Sequence, residues 1–499
     1  MNKLLFPLLL LAILFGSCSK EDDTVEPQPK EEIQQERRNL EVEEFIFGAM
    51  NEIYLYEADV PQLQDGYFSS QDDFLDFLEG YNDPVNLYYD LVADHDQFSF
   101  MTEDYVALEK LLNEGISGTT GMNYRLHTFG NNTDVFGYVR YVIPGSPAEE
   151  AGVKRGDFFT EIDGSSLNVN NYQQLLGQAS FSMRIDELID DTITHTDKVV
   201  ELSKVEIAED PIFTHNVFEI EGENIGYLLY NGFTPDFDAQ LNSVFGEFKS
   251  RNISSLILDL RYNGGGNVET AIDLSSMITG QFNEQIILKY EYNQYYQTYF
   301  EQNRPEDLLM YFNNSIRNGE SINSLNLTKV YVITTRSSAS ASELVIHALE
   351  PYIDVVQIGG TTRGKFQASA TLYDSPNLSY TNKDGEVHVN PNHNYALQPL
   401  IVKYANKDDE SDFVDGLFPD VEASEDLGNL GTLGDPNETL LNAAINTVLG
   451  KAPEPASAMQ KRVEQEFKFI WESDMFKPNY QRVYLDKIHL PEIIPAELN

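Results

Sequence analysis

Along this chain the apolar positions change period several times, and each change marks a new kind of element. From 42 to 56, Phe45, Ile46, Met50, Ile53 and Tyr54 recur at helical spacing. Helical patterns over 70–81 and 103–113 complete a small helical N-terminal region, 41–114. Between 115 and 206 short alternating segments are broken by turn signals at Pro144-Gly145-Ser146-Pro147, Gly152, Gly156-Asp157 and Asp163-Gly164. From 207 to 450 strand-like and helix-like runs alternate. Strands are expected over 224–230, 255–260, 329–334, 367–373 and 386–389, and helices over 236–249, 268–278, 343–350 and 435–449. The stretch 313–326 is irregular, and 416–420 reads as a turn. The last segment, 451–499, is mixed and contains Trp471, the only tryptophan; it reads as an appended helix and arm packed on the body. The expected fold class is multidomain α+β with an α/β core of alternating strands and helices.

Length and charge narrow the function. The chain has 499 residues, enough for two to four domains. Acidic residues outnumber basic ones, 81 to 33, for a formal net charge of −48, which argues against nucleic acid or an anionic membrane face as partner. The eight histidines are scattered and include no H-E-x-x-H pair, so no histidine-built metal site is expected. A cationic start, Met1-Asn2-Lys3, precedes an apolar run from Leu4 to Phe15 and then Gly16-Ser17-Cys18. This resembles a bacterial lipoprotein signal (1–18), which would lipidate Cys18; an ordinary signal peptide is the alternative. Residues 19–40 have the composition of a disordered tether. The implied location is the cell envelope, lipid-anchored, on the periplasmic side of the outer membrane or at the cell surface. With no second cysteine, no internal disulfide is expected.

The candidate chemistry lies between Arg336 and Lys365. A strand delivers the chain into Ser337, Ser338, Ser340 and Ser342, a helix departs, and Lys365 follows in a glycine-containing loop. A hydroxyl at a strand-to-helix turn with a nearby lysine can be a nucleophile and its base. Ser340-Ala341-Ser342-Glu343 is equally a capping box, and a helix start also offers unpaired N–H groups able to stabilise an oxyanion. His347, seven residues after Ser340, would sit about 10 Å along the helix axis, too far to act on it. No G-x-S-x-G elbow exists, and the only S-x-x-K is Ser17–Lys20. For Lys365 to be a base, its pKa must fall several units from about 10.4, through burial or a cationic neighbour. Gly264-Gly265-Gly266, between a strand and a helix, permits close backbone approach.

Two resemblances join these fragments. The run Y-V-I-P-G-S-P-A-E-E-A-G-V-K-R-G-D-F-F-T-E-I-D-G (141–164) resembles the core of a PDZ domain. That implies peptide binding by strand addition, with the terminal carboxylate near Gly121-Met122-Asn123, where the family's G-[LI]-G loop is altered. The motifs 258–266, 338–343 and 361–365 resemble those of the carboxyl-terminal processing (tail-specific) serine proteases. By that resemblance Ser340 is the nucleophile, Lys365 the general base, and the N–H groups of Ala341 and Gly265 the oxyanion hole, in a crotonase-like core. The family often places an orienting glutamine where Ser369 stands; Gln367, on the same face if this is a strand, can substitute, and the choice between Gln367 and Ser369 stays open. The implied function is an envelope serine endopeptidase with a PDZ domain (115–206), a Ser/Lys protease domain (207–450), and protein or peptide substrates selected by their C-terminal regions. Two rivals stand beside it: an inactive PDZ peptide-binding lipoprotein, and a surface glycan-binding lipoprotein suggested only by the anchor and the 12% aromatic content.

Overall fold

The structure is a computed structural model describing residues 38–189, 192–452, 460 and 467–486. The leader, Cys18 and residues 19–37 of the expected tether lie outside the described residues. The N-terminal helices Glu41–Ile53, Gln71–Glu79 and Pro84–Asp90 bury Ile46, Met50, Ile53, Leu78, Leu87 and Tyr88. These side chains share one core with Leu258, Leu344 and Ile401 of the central region. The third expected helix runs as an α-helix over Tyr105–Glu109 and continues, more widely wound, over Lys110–Glu114.

The central sheet has six strands in the order Ile212–Ile220, Glu223–Tyr230, Ser255–Asp259, Lys329–Thr334, Asp354–Gly359, Val421–Glu422. All neighbours are parallel except the first pair. Leu256, Ile257 and Leu258 are buried on both faces, as a strand covered by helices on each side requires. Leu256 and Leu258 face the core shared with helices Val268–Ile278 and Ala341–Leu349, while Ile257 faces Thr439–Val448. Successive side chains of a strand point to opposite faces, which gives this division.

The PDZ region keeps a separate core of Leu126, Val139, Phe159, Ile162 and Met183. Its sheet contains the pair Met122–Thr128 and Val135–Val142 and a long hairpin, Ser180–Ile189 with Thr192–Ser203. The expected strand over 386–389 is absent, replaced by an isolated bridge between Thr381 and Val387.

The C-terminal segment contributes two strands and a short 3-10 turn, Ser473–Phe476, among its described residues, while 453–459 and 461–466, where the expected appended helix would fall, lie outside them. Lys468–Glu472 joins the PDZ sheet beside Met122–Thr128. Val483–Leu485 enters a second six-stranded sheet, between Gly266–Asn267 and Gln367–Ala370. The backbone groups of both strands find partners far away in sequence, which local periodicity does not register.

Candidate active site

Three adjacent parallel strands, Ser255–Asp259, Lys329–Thr334 and Asp354–Gly359, each release at their carboxyl ends one of the singled-out motifs. Open parallel sheets present their sites at such ends. Asn263, Ser340 and Lys365 converge because their strands are neighbours.

Of the four serines, three have committed hydroxyls. Ser337 donates to Glu472 at 2.8 Å, Ser338 to the Leu260 carbonyl at 2.8 Å, and Ser342 to the Asn263 carbonyl at 3.0 Å. The Ser340 hydroxyl is fully buried with no hydrogen-bond partner among the described residues. Its backbone has φ of 65° and ψ of −115°, a conformation rare for a residue with a side chain. As the first helical residue, Ala341 has an N–H without an intrahelical acceptor.

Lys365 is equally buried, and its ammonium nitrogen also lacks a partner. It lies 4.6 Å from the centre of the Phe98 ring. Burial holds its pKa well below the usual lysine value, and the nearby Arg482 guanidinium lowers it further, against the opposing pull of Asp96 and Glu343.

Two side chains fasten the serine and lysine loops together. The Glu343 carboxylate accepts from the backbone N–H of Ser340 (2.7 Å), Gly364 (2.6 Å) and Lys365 (2.9 Å), and from the Thr362 hydroxyl (2.5 Å). Burial pushes its pKa up, partly offset by these donors. The Tyr404 hydroxyl lies 3.3 Å from the Ser340 carbonyl and 3.0 Å from that of Lys365. In the sequence Glu343 signals only a helix cap, and Tyr404 carries no local signal at all.

Gly265 has φ of 110°, and a Cβ there would meet Ser340 Cβ at 2.6 Å, the Arg482 carbonyl oxygen at 2.9 Å and Ala341 N at 3.1 Å. Only glycine fits. Its N–H, expected as an oxyanion donor, is engaged by Asn263 Oδ1 at 2.9 Å. Gln367 does not take the orienting role expected of it. Its amide donates to the Tyr56 hydroxyl at 3.1 Å, and no hydrogen bond joins it to Lys365. Ser369 points instead to Gln398, at 2.6 Å. His347 is buried against Phe413 and bonded to the Glu410 carbonyl at 2.8 Å, apart from Ser340 as its spacing implied. At the expected carboxylate loop, Gly121 has φ of 82° and packs against Ser146, Met122 opens the strand, and Asn123 bonds Arg140 (2.6 Å). Among the described residues no cluster of potential ligands suits a metal ion.

Below the site Arg261 is fully buried and fully paired. It donates to Asp259 at 2.7 Å and to Glu438 at 2.7 Å, and Glu425 lies 3.5 Å away. This network stiffens the segment leading to the glycine run.

Three stretches of the chain match known families. Residues 224–422 match peptidase family S41, residues 138–186 a PDZ domain, and residues 41–100 the peptidase S41 N-terminal domain. A carboxyl-terminal-processing protease of Picosynechococcus sp. is 24% identical over 48% of this chain and 53% of its own. A protein of Staphylococcus aureus strain N315, named "Probable CtpA-like serine protease", is 24% identical over 54% of this chain and 50% of its own. The chain thus spans about half the length of these curated relatives. A crystal structure of a candidate S41 protease from Bacteroides fragilis NCTC 9343 superposes with a TM-score of 0.63 at 25% identity, covering 81% of this chain and 97% of that one. An S41 N-terminal domain, a PDZ domain and an S41 core are thus matched in order along one chain.

Proposed function

We propose that this protein is a serine endopeptidase in which Ser340 is the nucleophile and Lys365 the general base. One observation carries the reading: a buried lysine held toward its neutral form, in a loop pinned by Glu343 and Tyr404 to the loop of a buried, unbonded serine hydroxyl. Neutral Lys365 takes the hydroxyl proton as Ser340 attacks a peptide carbonyl. The oxyanion forms against the Ala341 N–H, and Gly265 becomes the second donor when its N–H leaves Asn263. The protonated lysine then gives its proton to the departing amine, leaving an acyl-enzyme on Ser340. Water, deprotonated by Lys365, releases the acyl group and restores the serine. The residues at hand supply every proton transfer without a cofactor.

The PDZ domain would bring in protein or peptide substrates by their C-terminal regions. Anchoring to the envelope through Cys18 belongs to the same proposal and rests on the leader sequence; loss of detergent-phase partitioning in Cys18→Ala tests it. For the chemistry, the test is digestion of an unfolded protein by the wild type, Ser340→Ala and Lys365→Ala. Each substitution should cut turnover by about a thousandfold or more. Cleavage by the wild type should also fall as pH drops through the lowered lysine pKa, because only the neutral amine accepts a proton. Equal cleavage by all three proteins would sink the mechanism.

A further inference from the structure

The strand Lys468–Glu472 lies on the PDZ edge formed by Met122–Thr128, antiparallel to it, with Lys468 opposite Thr128 and Glu472 opposite Arg125. This edge, in front of the helix Tyr172–Gly177, is where a PDZ domain accepts a peptide. Trp471 packs on Tyr172 of that helix, with ring centroids 5.7 Å apart, and on Phe476 at 5.3 Å. The segment runs toward the loop 121–123, the direction a bound peptide takes toward its carboxylate site. There Ser473 Oγ accepts from Tyr124 N at 3.2 Å. The Asp474 carboxylate accepts from Asn123 Nδ2 at 2.8 Å and pairs with Arg140 and Lys477, each at 3.1 Å. A side-chain carboxylate stands where a terminal one is expected.

The same segment then enters the catalytic cleft. Gln481 packs on Gly264, the Arg482 carbonyl crowds the point beside Gly265 shared with Ser340 and Ala341, and Val483–Leu485 fills the slot between Gly266–Asn267 and Gln367–Ala370. A cavity of about 90 Å³ remains between the glycine run and residues 477–484, and one of about 310 Å³ between the PDZ loop and residues 473–478. Arg140 also donates to Ser337 at 3.0 Å and to Glu472 at 2.7 Å. One buried guanidinium thus joins the PDZ groove, the C-terminal segment and the serine loop.

We propose that residues 467–486 are an intramolecular ligand of both the PDZ groove and the catalytic cleft, and that a substrate enters by exchanging with them. The catalytic half rests on the peptidase reading; the occupancy of the groove does not. The exchanging partner is an extended peptide with an aromatic side chain for the Tyr172 pocket and, three positions on, a carboxylate for Arg140 and Asn123. Once Val483–Leu485 is displaced, its strand-wide slot admits the scissile segment beside Ser340. Tethering gives the ligand an effective concentration of roughly millimolar, so weak contacts suffice to close the site against poor substrates.

Trp471 is the only tryptophan in the chain, so its fluorescence reports the exchange directly. The full-length protein and its Ser340→Ala form are titrated with a peptide copying 467–474, with phenylalanine in place of Trp471 and a free terminal carboxyl. The expected result is a saturable red shift and a several-fold rise in iodide quenching, alike in both proteins. In Asp474→Ala the emission should be red-shifted without peptide, and cleavage of an unfolded substrate several-fold faster than in the wild type. Emission that stays unchanged at saturating peptide and in Asp474→Ala overturns the proposal, making the segment a fixed wall. A peptide-induced shift with no cleavage by any form supports the occupied groove and sinks the peptidase reading alone.

Discussion

Arg261 and Lys365 are both cationic side chains with no exposure to solvent, yet their surroundings are opposites. Arg261 sits among Asp259, Glu425 and Glu438, which secure its charge. Lys365 has no partner for its nitrogen among the described residues, a phenyl ring beside it, and the cation Arg482 nearby. A buried charge persists only when paired; an unpaired buried base sheds its proton instead. The first arrangement makes structure, and the second suits the base proposed for Ser340.

Substitutions can break this contrast. Replacing Arg261 with Met leaves Asp259 and Glu438 buried without their cation, and should lower stability by about 3–5 kcal/mol, read from denaturant unfolding. Glu343→Gln tests what holds the proposed Ser340 and Lys365 pair in place. A glutamine cannot accept from all four donors, so stability should fall by about 1–3 kcal/mol. If Glu343 positions both loops, kcat should drop well beyond KM, and Glu343→Asp should recover little because its shorter arm misses Lys365 N.

Lys365 sharpens the comparison through pH. Its folded pKa lies below its unfolded value, so between the two the unfolded chain binds the extra proton. Stability should therefore rise with pH across that window, by about 1.4 kcal/mol per unit, until the ordinary lysine pKa near 10.4 is passed. Lys365→Met should remove that contribution to the slope, be no less stable at neutral pH, and cleave nothing. The smallest effect belongs to Gln367→Leu. Its Oε1 is already without a partner and its amide serves Tyr56, so stability and turnover should each change by less than about 1 kcal/mol.

Much of the core was legible because its signals are local. The strands Lys329–Thr334 and Ser255–Asp259 and the helix Val268–Ile278 follow their hydrophobic periods almost to the residue. The motifs bearing Gly265, Ser340 and Lys365 could be read because short runs carried a resemblance. Glu343 was visible only in its lesser part, as a cap, since Lys365 and Gly364 come to it from another loop. Tyr404 and Arg482 gave no signal, because what they do depends on a partner brought from elsewhere in the chain. Glu472 and Asp474 were two acids among 81, and what sets them apart is partners from distant segments, Arg140 above all.

The strand Val483–Leu485 also sets an order of events in time. It stands between Gly266–Asn267 and Gln367–Ala370, so the sheet beside Ser340 stays incomplete until these late-synthesised residues arrive. A chain folding from its N-terminal end would expose a cleft with a missing strand until the residues after 482 join it. Completion and closure are then a single step, so the nascent protein gains its finished cleft only as that cleft is covered.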